Sequence, residues 1–167
     1  MINIYENSQI SIFPDTLEGC DLYMGVILQA EPLKLENESD EDYLLFRNTS
    51  ALIDEVSNVT LTDKIIITYA GDDEEKSALP IDATVLVTDY KTITEKKAID
   101  IAIGDNLVDG NYYQQSLDNT NENLATPVFV QQVEHVKGEF NGVSITLDDD
   151  IQWYGIYVDN IFVKYEY

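Results

Sequence analysis

Basic residues are scarce in this sequence. Of its 167 residues only 9 are Lys or Arg, against 32 Asp or Glu, and the formal net charge is -23 at pH 7. Arg47 is the only arginine and His135 the only histidine. Binding to a phosphate backbone needs clustered Lys and Arg to release counterions, so direct nucleic-acid binding is excluded. An anionic membrane surface repels such a chain for the same reason. Cys20 stands alone, which rules out an internal disulfide. One Cys and one His also fall short of a structural zinc site. No apolar run approaches the ~20 residues of a membrane span. The opening stretch Met1 to Glu6 lacks the basic start and apolar core of a signal peptide. The expectation is a protein made in the cytoplasm and not secreted.

Catalytic motifs are also missing. There is no G-x-S-x-G elbow, phosphate-binding loop or dinucleotide fingerprint. Cys20 and His135 lie in no recognisable nucleophile motif, and a reactive thiolate needs electropositive surroundings that this chain hardly supplies. Paired carboxylates are too abundant to single out any two. The expectation is a protein that is not an enzyme.

Hydrophobic residues make up 44% of the chain, enough for a core. The length predicts one domain over 1–167, with 1–15 as an extended arm. The dominant period is two, the mark of half-buried strands. Ile81, Ala83, Val85 and Val87 share one parity, as do Val59, Leu61, Ile65, Ile67 and Tyr69. Leu22, Met24, Val26 and Leu28 repeat it, as do Ile99, Ile101 and Ile103, then Val143, Ile145 and Leu147, and finally Ile161, Val163, Tyr165 and Tyr167. Asp63 interrupts its apolar face, which predicts a bulge or short turn at Thr62-Asp63. Asn141-Gly142 predicts a two-residue hairpin loop, because both residues tolerate positive φ. Ser50 to Ser57 predicts about two turns of helix capped by Thr49 or Ser50. The acidic run 36–42 and the Asn/Asp-rich run 116–125 predict loops. Together these give an all-β fold, an antiparallel β-sandwich or jelly roll of roughly eight to ten strands with little helix. Val85, Val87, Ile65, Ile67, Ile101, Ile145 and Ile161 should face its core.

Two kinds of site are suggested by the residues. Hard cations bind carboxylate and carbonyl oxygens on loops, so a structural calcium is the one cofactor the sequence offers. Its candidate ligands are Asp105, Asp109, Asp148, Asp149, Asp150 and Asp159. Asp105 to Gly110 partly matches the opening of a calcium loop, with Leu107 at the middle ligand position. The alternative is that these acids only solvate turns. Aromatics gather in the last third, and Trp153, Tyr154, Tyr112 and Tyr113 are candidates for contact with a partner protein or a glycan. The alternative for them is core and cross-strand packing.

The segment Ile156-Tyr157-Val158-Asp159-Asn160-Ile161-Phe162-Val163 resembles the closing strand of jelly-roll carbohydrate-binding modules and galactose-binding-like domains. That resemblance implies a jelly roll, and makes Asp159 a candidate ligand of a structural calcium. Three binding functions follow in order of preference. The first is a phage virion accessory, such as a capsid decoration, head-fibre or tail component, contacting capsid or tail subunits or further copies of itself. The second is a glycan-binding module. The third is an acidic mimic of nucleic acid that inhibits a DNA-binding enzyme.

Overall fold

The computed structural model describes residues 1–12, 16–34, 39, 50–69, 76–110, 112–113 and 126–167. They form twelve strands: β1 (Ile2–Tyr5), β2 (Gln9–Ser11), β3 (Thr16–Glu18), β4 (Ile27–Pro32), β5 (Ser50–Tyr69), β6 (Lys76–Leu79), β7 (Thr84–Thr88), β8 (Ile93–Lys97), β9 (Asn106–Leu107), β10 (Val128–Leu147), β11 (Trp153–Val158) and β12 (Ile161–Lys164). Short 3-10 turns occupy Gly19–Asp21 and Ala98–Asp100. The all-β, antiparallel class expected from period two is the one observed. The predicted loops at 36–42 and 116–125 lie outside the described residues, apart from Ser39.

Strands β5 and β10 pair along most of their length, with Ile145 opposite Val56 and His135 opposite Ile65. From this ribbon the order β10-β9-β7-β12-β11-β4-β5 returns to its start, so the hydrogen-bonded path closes on itself. β1 adds to β10 with Ile2 opposite Ile145. β6 adds to β5 with Ile65 opposite Leu79. Residues 1–15, read from sequence as an arm, therefore contain a strand whose Ile2, Ile4 and Tyr5 are core residues.

Inside the ring lies one large apolar cluster, which includes Leu28, Ile53, Ile65, Ile67, Val85, Ile145, Ile156 and Ile161. Six of the seven predicted core residues are buried, and Val87 is half-buried against the same cluster. A second cluster of Leu86, Val108, Tyr112, Tyr113, Tyr157 and Phe162 covers the other face of β7, β11 and β12. These strands are thus buried on both faces, which explains why their sequences run apolar rather than alternate.

Four local expectations need correction. Ser50 to Ser57 is strand, because pairing with β4 and β10 overrides a weak helical pattern. Asn141-Gly142 lies inside β10 and makes no turn. Gly142 is there for close approach: a Cβ on it would come within 2.5 Å of Leu61 Cδ1 and 2.8 Å of the Ile4 carbonyl oxygen. Ile99 and Ile103 are exposed beside a 3-10 turn, and of that run only Ile101 is buried. Met24 sits exposed in the turn before β4. The expected irregularity at Asp63 occurs, but on the partner strand: Asp63 has φ of 57°, and between Val136 and Glu139 two residues of β10 face Asp63 alone, so the extra residue belongs to β10.

A Cβ on Gly155 would lie 2.4 Å from the Val163 carbonyl oxygen and 2.4 Å from Phe162 Cζ. Backbone cannot yield cheaply there, so Gly155→Ala should destabilise the protein by about 1–3 kcal/mol. The urea midpoint should fall with an unchanged slope.

Candidate functional site

The first and last strands bring the two ends of the chain together. The Met1 amino group donates to the Glu166 carbonyl oxygen, and the Glu166 N–H donates to the Met1 carbonyl at 3.1 Å. The exit from β12 is held by aromatic residues. The Tyr165 N–H donates to the Tyr154 carbonyl at 2.8 Å, and the buried Tyr165 hydroxyl accepts the Leu147 N–H at 3.3 Å. The Tyr167 hydroxyl accepts the Trp153 N–H at 2.6 Å. Around Glu166 stand Thr84, whose hydroxyl donates to Oε1 at 3.3 Å, and Lys97, whose ammonium is 3.9 Å from the same oxygen. A cavity of about 140 Å³ opens beside the junction, bounded by Met1, Asn3, Pro80, Asp82, Lys164 and Glu166 among others. Desolvation lowers the Met1 amino group from its ordinary value of 8.0 to about 6, outweighing the opposing pull of Glu166.

A second polar constellation lies at the far end of β1. His135 Nε2 is 3.0 Å from Asp63 Oδ2, and Gly138 N–H donates to Asp63 Oδ1 at 3.0 Å. The Gly138 hydrogen bond is the largest cause holding the Asp63 carboxyl below the ordinary aspartate value, followed by the bond to His135. The Tyr5 hydroxyl donates to the Asp63 carbonyl, and the Lys64 ammonium lies 4.1 Å from the centre of the Phe140 ring. The interrupted apolar parity marks Asp63 in the sequence. Nothing in the sequence links it to His135, because the contact depends on the bulge register. The side chain of Cys20 lies outside the description.

The aspartates proposed as calcium ligands are dispersed, and four of them are tied to backbone. Asp105 pairs with Lys96 at 2.7 Å and accepts the Ala102 N–H at 2.9 Å. Asp109 accepts the Tyr112 N–H at 2.8 Å and Asp148 the Leu52 N–H at 2.9 Å. Asp159 accepts the Gln9 N–H at 3.0 Å and the Ser77 hydroxyl at 2.8 Å. Asp149 and Asp150 are exposed in the turn after β10. Asp109 and Asp159 line one cavity of about 400 Å³. Among the described residues no three carboxylate, thiol or imidazole groups come together to hold a metal ion. The acids cluster in sequence because short acidic side chains hydrogen-bond nearby N–H groups in turns.

The aromatics proposed for partner or glycan contact are placed inward. Trp153, Tyr112 and Tyr113 are buried at 3%, 5% and 7% exposure. The Trp153 indole donates to the Asp148 carbonyl at 2.7 Å. Tyr154 is half-buried against Phe162, with ring centres 4.9 Å apart.

No family model matches the chain, and no curated protein matches it. Solved structures do. A bacterial intein-like domain from Clostridium thermocellum is 15% identical, with 99% of each chain covered and a TM-score of 0.68. A DnaB intein from Synechocystis sp. PCC 6803 is 12% identical, with 100% of each chain covered and a TM-score of 0.66. The TvoVMA intein is 10% identical, with 96% of this chain and 95% of that chain covered and a TM-score of 0.63. The fold is the intein fold.

That finding overturns the jelly-roll resemblance. The segment Ile156 to Val163 is not one closing strand. It is a hairpin, in which Val158 pairs with Ile161 across a turn whose Asp159 and Asn160 both have positive φ, 49° and 65°. The finding likewise overturns the reading as a virion accessory, a glycan-binding module or a nucleic-acid mimic. The expectation of a non-enzymatic protein is contradicted by the same likeness to inteins.

Burial raises the Asp159 carboxyl above the ordinary aspartate value, against the opposing hydrogen bonds from Gln9 and Ser77. Between the unfolded and folded values the native state therefore holds more protons than the unfolded chain. Stability contributed by this group is complete below the unfolded value and is lost as pH rises through the folded one. Asp159→Asn keeps an acceptor without the charge. It should remove this part of the pH dependence, so that its stability relative to wild type improves from pH 3 to pH 7 in parallel urea titrations.

Proposed function

We propose that this domain acts on peptide bonds at its own two ends, by cleavage. The observation that carries the reading is the reciprocal hydrogen bonding of Met1 with Glu166 in a chain whose intein likeness spans its full length. Excising a domain requires both of its ends to be presented at one place, and the pairing of β1 with the exit of β12 does so. Effective molarity gained by holding reacting groups together is a large part of catalysis in such intramolecular reactions.

Hydrolysis needs only water and groups that move protons or stabilise developing charge. The Glu166 carboxylate stands there, with the Thr84 hydroxyl and the Lys97 ammonium each against its Oε1.

The test places the chain between two foreign folded proteins of different mass and follows the purified fusion by mass spectrometry. The expected products are fragments broken before Met1 or after Tyr167, each with one added water at the broken bond. A product in which the foreign proteins are joined without the domain would replace cleavage with splicing. Recovery of only intact fusion over days, from a folded protein, would overturn the reading.

A further inference from the structure

One end of the β5–β10 ribbon leaves apolar side chains in water. Ile27 on β4 and Leu52 on β5 stand opposite each other, and each is 45% exposed. In the turn before β4, Tyr23 is 66% exposed and Met24 72%. The Gly25 N–H donates to the Ile53 carbonyl at 2.9 Å, and the Ile53 N–H donates to the Val26 carbonyl at 2.9 Å. These bonds clamp the turn onto β5 beside Leu52, so the four side chains share one corner of the sheet. Single exposed hydrophobes need no explanation, but a group of them marks a binding surface.

The surroundings of this corner carry one sign of charge. Leu52 and Asp54 lie on the exposed side of β5. The Leu52 N–H donates to Asp148 Oδ1 at 2.9 Å, and the exposed Asp149 and Asp150 follow in the same turn. The stretches that build the corner, 19–30, 50–55 and 147–151, contain no Lys or Arg. An apolar centre with an acidic rim is complementary to an occupant that is apolar and cationic. It opposes a second copy, whose acids would face these, and an anionic lipid surface. The backbone here is already paired: β5 lies between β4 and β10, and Leu28 of β4 bridges to Ile12. An added strand has no edge to join, so the occupant engages side chains, as an amphipathic helix does. The unbranched thioether of Met24 adapts to such a surface.

We propose that this corner docks a cationic amphipathic helix of a partner protein. The apolar stripe of the helix covers Tyr23, Met24, Ile27 and Leu52, and its Lys or Arg side chains face Asp54, Asp149 and Asp150. The acids speed encounter and the apolar centre holds the complex. Docking uses no residue of the junction and does not depend on any reaction there.

The probe is a synthetic helix of Leu and Lys with its Leu side chains in one stripe, compared with a scrambled peptide of the same composition. In NMR titrations of the 167-residue chain, the striped peptide should shift the amides of Tyr23, Met24, Ile27 and Leu52. It should bind about tenfold more tightly than the scrambled one. Ile27→Thr with Leu52→Thr keeps β-formers on the strands and should weaken binding about tenfold. Ile99→Thr with Ile103→Thr, at exposed positions elsewhere, should change it less than about twofold. Asp149→Asn with Asp150→Asn should weaken binding at low salt and have little effect at high salt. Equal binding of both peptides, shifts centred on another face, or full binding by a folded Ile27→Thr, Leu52→Thr variant would reduce the attraction to net charge and overturn the proposal. No binding of the striped peptide at low salt would overturn it as well. If the double Thr variant does not fold, Met24→Ser in the exposed turn takes its place under the same criterion. Sedimentation without peptide checks the other occupant: a dimer that these substitutions abolish would assign the corner to a second copy and overturn the helix.

Discussion

Strands β5 and β10 run antiparallel along almost all of their twenty residues each, and the placement of the other elements depends on that register. One end of the ribbon recruits β4 through Ile27 opposite Leu52, and β1 through Ile2 opposite Ile145. The other end recruits β6 and β9. Because the ribbon closes the path that runs through β7, β12 and β11, a slip of one residue would turn its apolar faces outward and break the ring in two places. The bulge at Asp63 is where the ribbon accommodates this demand. The extra residue is on β10, and the Asp63 carboxylate holds that stretch by accepting the Gly138 N–H and contacting His135.

Charge is handled locally. With 32 acids against 9 bases, most carboxylates cannot find a cation. Several instead accept backbone N–H groups, as Asp63, Asp89, Asp105, Asp109, Asp148 and Asp159 do. The cations are placed where they bridge elements: Lys96 to Asp105, Lys164 to Glu95, and Lys97 to Glu166. These are partly exposed pairs whose worth to stability is small, so they orient neighbours more than they hold the fold. Glu31 is the exception. It is fully buried on β4, and its carboxylate accepts the Tyr157 hydroxyl at 2.6 Å from the neighbouring strand β11.

The ends of the chain meet as a consequence of the same ring. β1 lies on β10, and β12 lies between β7 and β11, so Met1 and Glu166 arrive side by side without any loop to join them. The aromatic anchors Tyr165 and Tyr167 tie the exit to the turn after β10, which also carries Asp148. Trp153, Tyr112 and Tyr113 are spent inside the molecule on this anchoring and on the second core. These three aromatics build structure, while Phe129 and Tyr167 of the same third remain exposed.

Local chemistry was enough to determine part of this. Alternation of β-branched residues specified strands, the inward face of Ile65, Ile67 and Ile145, and the interruption at Asp63, because a strand's side-chain direction is set by its own backbone. The Asp159-Asn160 turn was likewise written in residues that tolerate positive φ. Whether Asn141-Gly142 turns or runs straight, whether Ser50 to Ser57 coils or extends, and whether Trp153 faces water or core depended on which strand lies alongside. Those pairings join residues far apart in sequence, such as Val143 with Asn58. The site is of this second kind. Met1, Thr84, Lys97 and Glu166 carry no motif, because they become one place only when long-range pairing closes the ring.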